Sequence, residues 1–312
     1  MKTPSSPPAE HDRKTVLRAW WKASRPPFYI ATLVPLLLGY IMAGRDSGQW
    51  HLGLFAMIML ASLFLHLAAN LSNDLFDYLC GTDADNTIGG SRAIQEGTIT
   101  IRQYKVALVL LYSGALLLGA LGVAHTGLQG IWGIIIFAML VSFFYVAPPV
   151  RFGYRALGEV FVFLSMGLTM VAGTYYTLTG IWAGHAFAVA TPVGLMVAGI
   201  LYFQSMPEIE TDKAAGKHTL ANVLGPVWSA RVYALWWPTI WAMMVILWLY
   251  GICGWPIFPG IAASIPLHIK ECRNIARVQA SGDWLSLDRH GHLVRKMYLL
   301  CGVALIAGIV AA

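Results

Sequence analysis

The stretch LGLFAMIMLASLFLHLAANLS, residues 52–72, contains no Asp, Glu, Lys or Arg, and is followed at once by Asn73-Asp74-Leu-Phe-Asp77. Roughly 20 apolar residues are needed for a helix to cross the hydrocarbon core of a bilayer. This stretch therefore reads as a membrane span whose end is marked by a sudden cluster of carboxylates. Further apolar runs fall at about 28–44, 104–124, 129–147, 157–180, 184–206, 231–251, 256–269 and 296–312. The eighth is short and carries Pro256, Pro259 and Pro266, which makes its ends the hardest to set.

Composition points the same way. With 57% hydrophobic and 12% charged residues in 312, the chain has too few charges to cover a soluble globule of this size. The expected fold is an all-α integral membrane protein, with about nine transmembrane helices in one bundle over residues 28–312. Residues 1–27 are polar and basic; their length, and Pro26-Pro27 with Pro35, do not suit a cleaved signal peptide. They read as a retained cytosolic segment forming an interfacial helix, with Trp20 and Trp21 at headgroup level. The four cysteines, at 80, 253, 272 and 301, show no CxxC spacing and read as packing residues.

If the N-terminus is cytosolic, alternating spans put 20 of the 21 lysines and arginines on the cytosolic side and leave Arg45 outside. So one-sided a distribution follows the positive-inside rule of a cell inner membrane. A basic surface facing anionic lipid accounts for the net charge of +6 without nucleic acid as a partner. The two longest connections, about 73–103 and 207–230, both face the cytosol, and each opens on an acidic cluster. Those clusters follow spans 2 and 6, a spacing that hints at two related four-helix halves plus a ninth helix.

In the first cluster Asn70, Asn73 and Asp77 share one helix face, with His66 one turn earlier. Gly81 then allows a turn that would return Asp83 over the helix end. In the second, Gln204 precedes Glu208 and Asp212, which are one turn apart, followed by Lys213 and Lys217. Two carboxylate faces at one membrane surface suit Mg²⁺, a hard cation that takes phosphate oxygens and water as its remaining ligands. Arg92, Lys213 and Lys217 would complete a diphosphate clamp. Acidic residues at helix ends are also commonly solvated caps, and two such clusters on one face weaken that reading. His66, inside an apolar run, fits an interhelical hydrogen bond as well as a functional role. Asp74 and Glu210 point away from the metal-facing side and suit supporting contacts. Arg151 and Arg155 suit either an anionic ligand or topology-setting charge, and Glu159 needs a partner at its depth, with Arg155 the obvious one.

Asn73-Asp-x-x-Asp77 with Gly81-x-Asp83 resembles the first motif of the UbiA-type superfamily of intramembrane aromatic prenyltransferases. Gly89-Gly-Ser-Arg92-Ala-Ile-Gln95-x-Gly97-x-Ile-Thr100 is similar to the stretch that follows it in the 1,4-dihydroxy-2-naphthoate polyprenyltransferase branch. Glu208-x-x-x-Asp212-Lys-x-x-Gly216-Lys-x-Thr219 resembles the second motif. Arg25-Pro26 with Pro35 and Gly39 resembles the first helix, and Tyr154-Arg155-Ala-Leu157-Gly158-Glu159 the entry to the fifth. The chain departs from the pattern at Gln204 or Ser205 and at Pro207-Glu208, where the family often has Asn and Asp, and nothing after about residue 226 matches a motif.

The resemblance implies two Mg²⁺ ions held by Asn73, Asp77, Asp83, Glu208 and Asp212, with Asn73, Asp77 and Asp212 central to catalysis. It implies a polyprenyl diphosphate donor, bound through Arg92, Lys213, Lys217 and Arg151, and an aromatic acceptor. The acceptor would be 1,4-dihydroxy-2-naphthoate on the route to menaquinone, with 4-hydroxybenzoate or another aromatic or lipid acceptor as runner-up. His66, Asn70, Tyr145, Tyr202 and Gln204 are the candidate lining of the substrate cavity, with Phe203 a further aromatic; near an interface such rings also serve as belt or packing residues. A cation-coupled transporter is the competing class. Carboxylates at one face rather than at the midplane count against it. Prenyl chain length and oligomeric state have no signature in the sequence.

Overall fold

The structure, a computed structural model, describes residues 12–81, 90–214 and 216–312. Eleven helices carry the described chain: α1 Arg13–Ala23, α2 Ile30–Ser47, α3 Leu52–Cys80, α4 Ile101–Thr126, α5 Gly130–Phe144, α6 Gly158–Thr179, α7 Gly184–Ser205, α8 Ile209–Ala214, α9 Leu220–Leu249, α10 Ile257–Ser281 and α11 Gly291–Val310. Each of the nine apolar runs lies on one of them. Six helices are long and apolar enough to cross a membrane by length and composition, or seven if α1 and α2 are taken as one bent span. α5 is shorter, and α10 carries Lys270, Glu271, Arg273 and Arg277 in its second half, so the count of nine rests on the sequence pattern alone. The protein is a multi-pass, all-helical membrane protein.

Several ends differ from the apolar runs, and local chemistry explains each. α3 continues through the acidic cluster to Cys80 and stops at Gly81, whose left-handed conformation (φ 71°) lets its N–H reach back to Asp77. The first motif therefore lies on the last turns of a helix rather than in a loop. α10 runs past Pro266 to Ser281 and ends on Gly282 in the same way. Thr100 caps α4 in a reciprocal box with Gln103, and Thr219 caps α9 by accepting from Asn222.

α2 packs on α6 and α11, α3 on α4, α7 on α6 and α9, and α10 on α11. Small residues set a close crossing: a Cβ on Gly167 would stand 2.3 Å from Gly194 Cα, so α6 and α7 meet backbone to backbone. Gly167 lies within a π-helical turn, Phe163–Thr169, that widens α6. Val109, Leu110 and Leu117 of α4 are exposed, as a lipid-facing surface requires. α1 keeps Trp21 outward, and Trp20 stacks on Tyr104 at 5.5 Å between ring centres.

Candidate active site

The two acidic helix ends meet at one mouth. Asn73 and Asp77 from the end of α3, Gln204 and Ser205 from the end of α7, and Glu208, Thr211, Asp212 and Lys217 from the following segment line a single polar cavity of about 410 Å³. Asp77 lies close enough to Asp212 for its charge to oppose ionisation there. Arg25, Phe28, Asn73, Tyr145, Leu201 and Gln204 also line a second cavity of about 290 Å³, so the polar mouth opens directly onto an apolar one. That inner cavity is walled by α2, α3, α4, α5, α6 and α7, with His66, Asn70 and Ser142 among its few polar groups.

Backbone pairing brings the second wall into place. Ala156 N–H donates to His218 O at 2.6 Å and His218 N–H to Tyr154 O at 3.2 Å, which sets Tyr154 beside Lys217. The Tyr154 hydroxyl donates to Asp77 Oδ1 at 2.5 Å. Gly216 (φ 70°) turns the chain after α8 so that Lys217 N–H bonds Asp212 O and Lys217 Nζ lies 3.3 Å from Asp212 Oδ1. Gly153 and Gly158 pack against the ring of Tyr145; a Cβ on Gly153 would stand 2.8 Å from it.

A roof is held over the mouth by α3. Asp74 accepts from Arg25 Nη2 at 2.8 Å and, through its other oxygen, from Ser91 N–H and the Tyr104 hydroxyl. Asn70 Nδ2 donates to Ser24 O at 3.2 Å. Arg25 adopts φ 52°, uncommon for a residue with a side chain, at the turn into Pro26-Pro27. These contacts give Asp74 the supporting role its helix face suggests, while Glu210 is exposed.

Burial pushes the Asp212 carboxyl above the ordinary range; Lys217 opposes that shift and Asp77 adds to it. Burial works against the Lys217 ammonium, but Asp212, Asp77 and Glu208 outweigh it and hold its pKa above the usual lysine value. Asp212 Oδ2 is buried without a hydrogen-bond partner, an acceptor left over on a residue that lines the mouth. Among the described residues no three His, Cys, Asp or Glu side chains converge tightly enough to cage a metal by themselves. One or two carboxylates per ion, completed by water and phosphate oxygens, is the habit of Mg²⁺. The oxygen donors here fit that habit.

Other expected site residues lie elsewhere. Lys213 is exposed on the outer side of α8, and neither it nor Arg92 lines the mouth. Arg151 donates to Cys80 Sγ at 2.8 Å and lies over the Tyr154 ring, behind the mouth. Tyr202 lines neither cavity: it faces α9, stacking on Trp236 and donating to Ser229 O. Phe203 likewise packs on Tyr233. The expected Arg155–Glu159 pair does not form, because Arg155 donates to Pro149 O in its own loop and Glu159 is buried. Asp83 lies outside the described residues. Conversely, Lys22, Tyr154, Thr211 and Asp288 line the mouth without having been picked out. Lys22 lies on α1 and Thr211 on α8, Tyr154 comes from the segment before α6 and Asp288 from the last third of the chain, and no spacing in the sequence ties the four together.

Two acidic motifs around one mouth, above an apolar cavity within a helical membrane protein, are an arrangement suited to an intramembrane transferase. The chain belongs to the UbiA prenyltransferase family, whose model matches residues 32–308. It is therefore an enzyme, a prenyltransferase, and the transporter reading loses its support. Its relatives include the 1,4-dihydroxy-2-naphthoate octaprenyltransferase of Haemophilus influenzae, 32% identical over 228 residues that cover 70% of this chain and 72% of the relative. The 2-carboxy-1,4-naphthoquinone phytyltransferase of Synechocystis is 25% identical and covers 98% and 97%. A UbiA homolog from Archaeoglobus fulgidus, solved bound to GPP and Mg²⁺, superposes with a TM-score of 0.55 at 16% identity over 93% of this chain and 99% of that one.

Proposed function

We propose that this enzyme transfers a polyprenyl group from its diphosphate to 1,4-dihydroxy-2-naphthoate, with Mg²⁺, at the cytosolic face of the inner membrane. The observation that carries the reading is the single mouth shared by Asp77, Glu208, Asp212 and Lys217 at the open end of an apolar cavity. The dihydroxynaphthoate in the name of the Haemophilus relative, with the carboxynaphthoquinone in that of the Synechocystis relative, supports the acceptor, and the GPP and Mg²⁺ of the Archaeoglobus homolog support the donor. The one-sided lysines and arginines support a cytosolic N-terminus.

Asn73, Asp77, Glu208 and Asp212 would hold the ions, with Asp83 added by its place in the first motif. When bound, the ions neutralise the diphosphate and make it a better leaving group. Lys217 and Arg25 present fixed positive charge to phosphate oxygens at the mouth. The inner cavity takes the prenyl chain and keeps water from the allylic carbon as its bond to oxygen breaks. Tyr145, at the junction of the two cavities, offers a ring face to the charge that develops there. Attack by an electron-rich ring carbon, with loss of the ring proton or of CO₂ from a carboxylated carbon, completes the transfer.

The test is incubation of the purified protein with one labelled prenyl diphosphate and a panel of aromatic acceptors. Prenylated product and diphosphate should appear with dihydroxynaphthoate and Mg²⁺ and vanish in Asp77→Ala. Prenylation of a different ring only, or no turnover, contradicts the reading.

A further inference from the structure

His66 lies on the same face of α3 as Asn70, Asn73 and Asp77, and lines the inner cavity. Its Nδ1 is 2.8 Å from the hydroxyl of Thr32, which is in the first turn of α2 and fully buried. Tyr29 stands edge-on to the imidazole at 5.8 Å. Since α2 begins only at Ile30, His66 sits just beneath the Arg25–Phe28 roof, where the polar mouth gives way to the apolar cavity. The ring is anchored at one nitrogen and partly open to the cavity, while Nε2 is covered and has no hydrogen-bond partner.

We propose that His66 recognises the hydroxyl group of the aromatic acceptor and so orients the ring toward the prenyl donor. An unpaired buried nitrogen is costly unless a ligand satisfies it. Which ligand follows from the tautomers. If the Thr32 hydroxyl donates to Nδ1, Nε2 carries the proton and must donate; if Nδ1 donates to Thr32, Nε2 must accept. An aryl hydroxyl both donates and accepts, and meets either state. A prenyl chain meets neither. Because Nε2 is covered, reaching it takes a rotation of the imidazole about Cβ–Cγ that also moves Nδ1 relative to Thr32, so a hydroxyl entering by the ring's open edge would compete with that contact. The bond to Thr32 fits equally an interhelical tie, but that tie uses only Nδ1.

The inference rests on the proposed aromatic prenyl transfer, and full-length protein in detergent separates the two. Initial rates are measured against dihydroxynaphthoate and against the prenyl diphosphate for wild type, His66→Phe and His66→Gln, and again with an acceptor whose hydroxyl is methylated. We expect His66→Phe to lower kcat/KM for the acceptor about tenfold or more while the KM for prenyl diphosphate stays within about twofold, with His66→Gln recovering part of the loss. Methylation should penalise the wild type and add little in His66→Phe. If His66→Phe does not fold, His66→Gln and the methylated acceptor on wild type decide. An active wild type whose variants keep the acceptor kcat/KM, or lose it equally for both substrates, overturns this inference alone. A wild type that releases diphosphate without prenylating any hydroxylated ring overturns it together with the proposed function.

Discussion

Two of the regions where the molecule buries carboxyl groups, the mouth and the last third of the chain, differ in a way that separates a site from a brace. At the mouth, Asp77 and Asp212 come from different helix ends, share Lys217, and open onto a cavity. In the last third, Glu271 of α10 is fully buried, receives the hydroxyl of Tyr233 from α9, and borders neither cavity. One turn before it on α10, His268 contacts Ala234 O of α9, so this polar group also ties the two helices together. Burial of a carboxyl group is common to both regions; what distinguishes the mouth is a second carboxyl, a cation and room for a ligand.

The contrast breaks first at the mouth. Asp77→Ala should lower turnover by at least about a hundredfold, the several kcal/mol that charge neutralisation of a leaving group supplies, with little change in melting temperature. Loss of folding in step with activity would make Asp77 a brace too. Lys217→Met should raise the KM for prenyl diphosphate by roughly ten- to a hundredfold, as for loss of a charge-assisted hydrogen bond of about 1.5–3 kcal/mol. Tyr233→Phe should do the reverse: about 1–3 kcal/mol of stability lost in denaturation, because Glu271 is left without its donor, and kcat/KM unchanged. Lys213→Ala, smallest of all, should change the rate by less than about twofold, since an exposed charge away from the mouth contributes little.

Asp212 has its pKa raised in the fold, so its native state holds the proton at pH values where an ordinary aspartate has lost it. In the substrate-free protein the contribution of this group to stability is therefore complete below the unfolded pKa and is lost as pH rises through the raised one. Asp212→Asn should flatten the part of a melting-temperature profile that lies just above the ordinary aspartate range; an unchanged profile would place the pH dependence elsewhere.

Much of the site was legible because helix periodicity is local. Asn70, Asn73 and Asp77 share a face at spacings of three and four, and α3 needed only to continue for that face to form. The same reasoning separated Asp74, which instead pins Arg25. Lys213 and Lys217 were equivalent on paper and differ because Gly216 turns only the second back to Asp212. Tyr154 reaches Asp77 through pairing between segments about 60 residues apart in sequence, at Ala156 and His218, which no local pattern encodes. Tyr145 and Tyr202 both end apolar runs, yet only the first faces a cavity; the choice depends on how α7 is rotated against α9. Asp288 arrives from the stretch without motifs, and only tertiary packing brings it to the mouth.

Two acidic helix ends gripping one diphosphate is what the proposed chemistry depends on. Titration of a prenyl diphosphate into wild type, Asp77→Ala, Asp212→Ala and the double variant, each with Mg²⁺, tests it directly. Each single substitution should remove most of the binding free energy and the double should remove little more, because both ends hold the same ligand. Binding losses that simply add, or a single variant that binds as wild type does, would contradict it.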